Sequence, residues 1–174
     1  MSDAAALRSD RPVLSQPAGI ARLIALLLPM ALLGGALGSQ YLGGLHPCEM
    51  CYWQRWPHAA AIALAVLSFT GPAESGRSRA FVLLAALAIA ISGAIGVYHA
   101  GVEAKIFEGF TQCTALPKAS NTAELLKQIS HAPIIRCDQV QFRFLGISMA
   151  GWNAILSLGG AALILLLSLK AKQR

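Results

Sequence analysis

Apolar runs of about twenty residues, two of them without a single charge, constrain this chain more than any other feature. A helix of that length matches the hydrocarbon core of a bilayer, about 30 Å thick. The first run covers residues 20–39 and contains Pro29, which a membrane helix tolerates as a kink. The second covers 52–70, with Arg55 and His58 in its first turns; the third covers 80–100 and the fourth 147–169. Residues 1–19 form a polar tail, and 101–146 form the one extended polar connection. Composition agrees: of 174 residues, 56% are apolar and 13% charged, whereas a soluble globule of this size needs about a quarter charged. The expectation is one membrane domain over residues 1–174. Its fold class is all-α integral membrane, an antiparallel four-transmembrane-helix bundle with one long external loop.

The net charge of +6 does not point to nucleic acid, because no basic stripe with interleaved aromatics accompanies it. In a membrane chain Lys and Arg set topology and meet anionic headgroups. With four spans, both tails share a side with the short second connection. That side carries Arg8, Arg11, Arg22, Arg77, Arg79, Lys170, Lys172 and Arg174 against only Asp3, Asp10 and Glu74. It is therefore expected to be cytoplasmic. A cleaved signal peptide ending near Ala36-Leu37-Gly38 is the competing reading of the first run; the run is longer than a usual signal core.

All four cysteines, Cys48, Cys51, Cys113 and Cys137, then fall on the opposite side, where disulfides persist. The strongest local motif is His46-Pro47-Cys48-Glu49-Met50-Cys51-Tyr52-Trp53-Gln54-Arg55. Pro47 suits a helix start, where a missing N–H is harmless. Cys51 falls in the first turn, where unpaired N–H groups and the helix dipole favour a thiolate. Arg55 follows four residues on, on the same face. It either snorkels to headgroups or steadies the thiolate or a polar ligand. A static disulfide and half a zinc site are the competing readings of Cys48 and Cys51. Zinc wants a second close ligand pair, which Cys113, Cys137 and the histidines do not supply in sequence.

Cys113 and Cys137 sit in the long loop, where a plain structural bridge would stabilise by about 3 kcal/mol. In the same loop Asn121-Thr122-Ala123-Glu124 reads as a capping box. It opens a short amphipathic helix that either lies on the membrane or packs on the bundle mouth. One pair at a membrane edge and one on a loop can exchange through mixed disulfides. No flavin, haem or metal signature is present to take the electrons, so a lipid-soluble quinone is the natural acceptor. Small-residue pairs Gly34/Gly38 and Ser92/Gly96 suit close helix packing.

This order of features is similar to the bacterial disulfide bond formation protein B (DsbB) family. It shares four spans, Cys-x-x-Cys then Arg at the head of the second, and two loop cysteines before the last. Phe144-Leu145-Gly146 leading to Trp152 also resembles the family's entry into its final helix. The resemblance implies a membrane thiol oxidase that re-oxidises a soluble periplasmic thioredoxin-fold protein, DsbA-like, and reduces ubiquinone or menaquinone. It implies catalytic roles for Cys48, Cys51, Cys113 and Cys137, with Cys51 nearest the quinone and Cys113 forming the mixed disulfide with DsbA. Arg55, Cys51 and His99 would bind the quinone, with no metal; a lone interfacial histidine can equally be a wet polar residue. Vitamin K epoxide reductase type proteins place their quinone-side pair after the loop cysteines, the reverse of the order here. A four-span transporter or scaffold with structural disulfides is the alternative from another class. It lacks the charged residue deep in a span that transport would favour.

Overall fold

The computed structural model describes residues 16–109, 121–123, 126 and 136–172. Four long helices carry the fold: α1 (Pro17–Tyr41), α2 (Glu49–Ser68), α3 (Gly76–Glu103) and α4 (Met149–Lys172). They pack in a ring, α1 on α2, α2 on α3, α3 on α4 and α4 on α1. α1, α3 and α4 are long and apolar enough to cross a membrane. α2 falls short in apolarity because it carries Glu49, Gln54, Arg55 and His58. At 20 residues it is still about 30 Å long.

What is buried and what is exposed supports a lipid environment. The core is built of Ala21, Ala25, Ala61, Ala65, Ala85, Ala86 and Ala161, with Val82, Ile89 and Ile164. Leu27, Leu84, Leu87, Leu165 and Leu166 face outward. Small residues inside let helices approach closely, while large apolar ones gain nothing from burial when the solvent is itself hydrocarbon. Gly96 belongs to this packing: an added Cβ would stand 3.0 Å from Ala150 O and 3.1 Å from Ala154 N. Gly34 and Gly38 do not, since a Cβ at either meets nothing within 4 Å among the described residues. The expected packing role of that pair is corrected accordingly.

The helix ends refine the sequence expectation. α2 begins before the apolar run, at Glu49, because Cys48 is its N-cap and accepts from Cys51 N. Ser75 caps α3 in the same way, accepting from Ser78 N. Arg22, counted in sequence as a topology signal, is buried. It donates to Ser68 O, Gly71 O and Ser78 Oγ, and its guanidinium lies 4.7 Å from the Phe69 ring centre. The C-terminal carbonyls of α2 thus receive a cation, as the helix dipole favours.

α3 ends in a left-handed residue, Lys105 at φ 62. Ile106 N reaches Gly101 O at 2.8 Å and Lys105 N reaches Val102 O at 3.0 Å, the paired bonds of a Schellman ending. Gly101 is required there, because a Cβ would collide with the Phe107 ring. The chain then folds back over the bundle mouth, where Tyr98 and Phe107 stack at 5.4 Å.

An all-α fold is amended by one small hairpin. β1 (Arg143–Phe144) pairs antiparallel with β2 (Ile147–Ser148). Its two turn residues, Leu145 and Gly146, have φ 52 and 80, the handedness that two-residue hairpins need. The last helix therefore starts at Met149 rather than Ile147. Trp152 Nε1 donates to Phe144 O at 2.9 Å and fixes the hairpin to α4. Of the expected loop helix, Thr122, Ala123 and Leu126 are helical and Asn121 precedes them outside the helix; Glu124, Leu125 and 127–129, like Cys113, lie outside the described residues.

Candidate functional site

A cavity of about 600 Å³ opens between α1, α2 and α4, with His99 and Glu103 of α3 and Arg136, Gln139, Gln141 and Phe142 completing its wall. Leu32, Leu33, Ala36, Met149 and Ala150 give it apolar walls. Cys48, Cys51, Arg55 and His99 all line it, with Gln54, His58, Glu103 and Asn153. That size and mixture suit a small flat ligand with a few polar atoms.

The cysteine pair is formed by the helix start itself. Cap and third residue of one helix bring Cys48 Sγ and Cys51 Sγ to 2.9 Å. Cys51 N donates to Cys48 Sγ at 3.3 Å. Cys48 is buried and Cys51 half-buried. The contact with Cys51, and after it burial, push the Cys48 thiol above its ordinary value. Cys137 is buried in the same cluster as Cys48, Met50 and Val102, so one loop cysteine stands beside the helix-head pair.

Ion pairs hold that loop segment in place. Asp138, next to Cys137, accepts from Arg136 Nη2 at 2.7 Å and from Lys105 Nζ. The hydrogen bonds from these two cations hold its carboxyl at about 2. Gln141 Nε2 donates to His46 O, tying the loop to the segment before the motif. The left-handed ending of α3 is what brings Lys105 to this position.

His99 lies on α3, buried, with Nε2 3.5 Å from Cys48 Sγ. Gln54 Nε2 meets its Nδ1 at 2.8 Å. Gln54 faces this way because its Oε1 accepts from Asn153 Nδ2 at 2.8 Å. Donation from Gln54 places the His99 proton on Nε2, toward the cysteines. The same nitrogen is 3.8 Å from Glu103 Oε1, and the ring hydrogen-bonds the Cys137 backbone.

Arg55 does not reach outward to headgroups. Its Nη2 donates to Ala36 O at 3.1 Å, its Nη1 to Gln40 Oε1, and its guanidinium lies 5.0 Å from the Tyr52 ring centre. Among the described residues, four buried side-chain polar atoms find no partner: Arg22 Nε, Arg55 Nε, His58 Nδ1 and Glu103 Oε2. Three of these four belong to residues lining the cavity. Orphaned buried groups are costly, and three of them gather beside this cavity.

Gln54, His58, Glu103 and Asn153 were not singled out from sequence. Two signals were available. Polar residues within apolar runs are expensive and ask for a reason, and Glu103 follows His99 by one helical turn. Cys48 Sγ, Cys51 Sγ and a His99 nitrogen also lie within 4.8 Å of one another, a group that could hold a metal ion. Two thiolates on one tetrahedral zinc stand about 3.8 Å apart. The observed 2.9 Å between the two free thiols is well short of that spacing.

Comparisons with known proteins agree with this chemistry. The model of the family "Disulfide bond formation protein DsbB" matches residues 19–167. A disulfide bond formation protein B from Xanthomonas oryzae pv. oryzae (strain MAFF 311018) is 27% identical over 157 residues, covering 87% of this chain and 90% of that protein. One from Shewanella sp. (strain MR-4) is 29% identical over 142 residues, 79% of each chain. An uncharacterised protein, RP370, from Rickettsia prowazekii (strain Madrid E) is 23% identical over 142 residues, covering 80% of this chain and 81% of that protein. No solved structure matches the chain. With the family model covering most of its length and a cysteine pair poised at the head of a membrane bundle, the chain belongs to the DsbB family of disulfide bond formation proteins.

Proposed function

We propose that the chain is a protein-dithiol:quinone oxidoreductase of the bacterial inner membrane. It re-oxidises a soluble periplasmic thioredoxin-fold protein, DsbA-like, and delivers the electrons to ubiquinone or menaquinone. The observation that carries this reading is the Cys48–Cys51 approach of 2.9 Å at the wall of an apolar cavity. All four helices cross the membrane antiparallel, with both termini cytoplasmic and the cysteines periplasmic. The clustered Lys and Arg of the tails and of the α2–α3 connection support that orientation.

In this reading Cys113 and Cys137 form the loop disulfide: the partner's thiolate attacks Cys113, Cys137 leaves as a thiolate, and the partner's second thiol then displaces Cys113 from the mixed disulfide to close the partner's own S–S bond. Cys137 already packs with Cys48, so exchange between the pairs needs a short movement of the loop. Each cycle converts two partner thiols into one disulfide and releases two electrons and two protons. A bound quinone supplies the acceptor for both. Cys51, half-buried at the cavity wall, faces the ligand; Cys48 closes the S–S bond. His99 Nε2–H beside Cys48 Sγ stabilises negative charge on the pair. Arg55 is anchored on α1 through both Nη atoms, and its Nε, without a partner among the described residues, is left for the ligand.

The two pairs separate by mutation. Cys113→Ser should abolish turnover with the protein dithiol while the Cys48–Cys51 pair still reacts with quinone. Cys51→Ser should abolish quinone reduction and still trap the partner as a mixed disulfide, visible on non-reducing gels. Equal residual activity in both variants would mean that the cysteines form static bridges.

A further inference from the structure

His58 has no part in the reaction described so far, yet it is buried and lines the same cavity. It lies seven residues after Cys51, with Arg55 between them. That spacing places Cys51, Arg55 and His58 on one face of α2. His58 is about 10 Å further along the helix than Cys51. A ring held between the pair and the bundle interior would therefore meet Cys51 at one end and His58 at the other.

The bonds around His58 determine which nitrogen carries its proton. Asn153 Nδ2 donates to Gln54 Oε1 and to Ser92 O, so Asn153 Oδ1 is the atom turned to His58 Nε2, at 2.8 Å. Oδ1 can only accept. Ser92 Oγ gives its own proton to Gln54 O at 2.8 Å and lies 3.0 Å from the same Nε2. Both neighbours therefore require Nε2 to be the donor. Neutral imidazole then has a bare lone pair on Nδ1, the atom without a partner among the described residues. A quinone offers only acceptor oxygens, whereas a quinol offers hydroxyl donors.

Resting on the quinone reading, we propose that His58 Nδ1 accepts a hydrogen bond from a hydroxyl of the reduced ligand. The cavity thus holds quinol by a contact that quinone cannot make. As the Cys48–Cys51 disulfide forms, two S–H bonds are lost and two electrons and two protons pass to the ring. Both ring carbonyls become hydroxyls. The hydroxyl farther from Cys51 bonds to Nδ1, which stabilises the product and favours the forward electron transfer.

The test is equilibrium binding to the purified protein, read by quenching of tryptophan fluorescence, since Trp152 lines the cavity. A short-chain quinol, its di-O-methyl ether and the corresponding quinone are each titrated. The wild type should bind the quinol about fivefold more tightly than the ether, equivalent to about 1 kcal/mol. In His58→Gln the terminal amide keeps a donor toward Asn153 but has no acceptor at the Nδ1 position. The preference should there fall within about twofold of unity. In His58→Asn a side-chain carbonyl stands where Nδ1 stood, and the preference should persist. Circular dichroism of each variant verifies that the helices are retained. A wild type without the preference, or a preference undiminished in His58→Gln, overturns the assignment while leaving quinone binding intact. A wild type that binds neither quinone nor quinol overturns the quinone reading and this inference with it.

Discussion

Arg55 holds more of the proposed chemistry than any residue other than the cysteines. Its two terminal nitrogens are committed to α1, through Ala36 O and Gln40 Oε1, and its Nε is buried without a partner among the described residues. A lysine can supply the charge but not three nitrogens in a fixed plane. Arg55→Lys should therefore raise the quinone KM by roughly ten- to hundredfold, the equivalent of one charge-assisted hydrogen bond at about 1.5–3 kcal/mol. Quinone-reduction kinetics of the purified variant check this. An unchanged KM would mean that the arginine only braces α1 against α2. The cysteine motif and Arg55 were legible in sequence because their spacing alone places them on one helix face. The polar residues around them were not, apart from His99, which the family resemblance brought in. Gln54, Asn153, His99 and His58 come from three helices, and nothing in the linear order of α2, α3 and α4 says that their side chains meet. Asn153 in particular stands within an apolar run whose neighbours give no hint of a partner 99 positions away in Gln54.

At the scale of the elements, lengths and order follow from hydropathy, but the faces do not. Apart from the polar first turns of α2, the helices are apolar nearly all round, so there is little contrast between a buried and an exposed side to read. The glycines illustrate the consequence. Gly34 and Gly38 have the spacing of a packing motif and meet open space, whereas Gly96 lies against the α4 backbone. Gly96→Val should overpack the α3–α4 contact and destabilise the bundle by about 1–3 kcal/mol. Gly34→Ala should be neutral or stabilising by up to about 1 kcal/mol, because alanine is the better helix former and finds room. Thermal unfolding in detergent separates the two: a lowered Tm for Gly96→Val alone is expected, and equal losses would contradict this packing. The hairpin before α4 was also hidden, since Leu145 carries no signal for the left-handed turn it adopts. Gly146 is the only conventional turn residue there.

For the whole molecule, buried alanines, outward leucines and a polar cavity at one end make a bundle that exposes its apolar surface to lipid and its chemistry to one side. The folded-back end of α3, the Lys105–Asp138–Arg136 cluster and the hairpin all lie at that end. Arg22 fastens the other end, joining α1 to the α2–α3 connection. This polarity fits a device that takes electrons from a soluble protein and gives them to a lipid-soluble acceptor. The measurement that tests it most directly follows quinone absorbance while a reduced thioredoxin-fold dithiol protein is added to the purified chain. One quinone should be reduced for each partner disulfide formed, and Cys51→Ser should reduce none. Partner oxidation without quinone reduction, or an equal rate with Cys51→Ser, would contradict the proposed route through the Cys48–Cys51 pair.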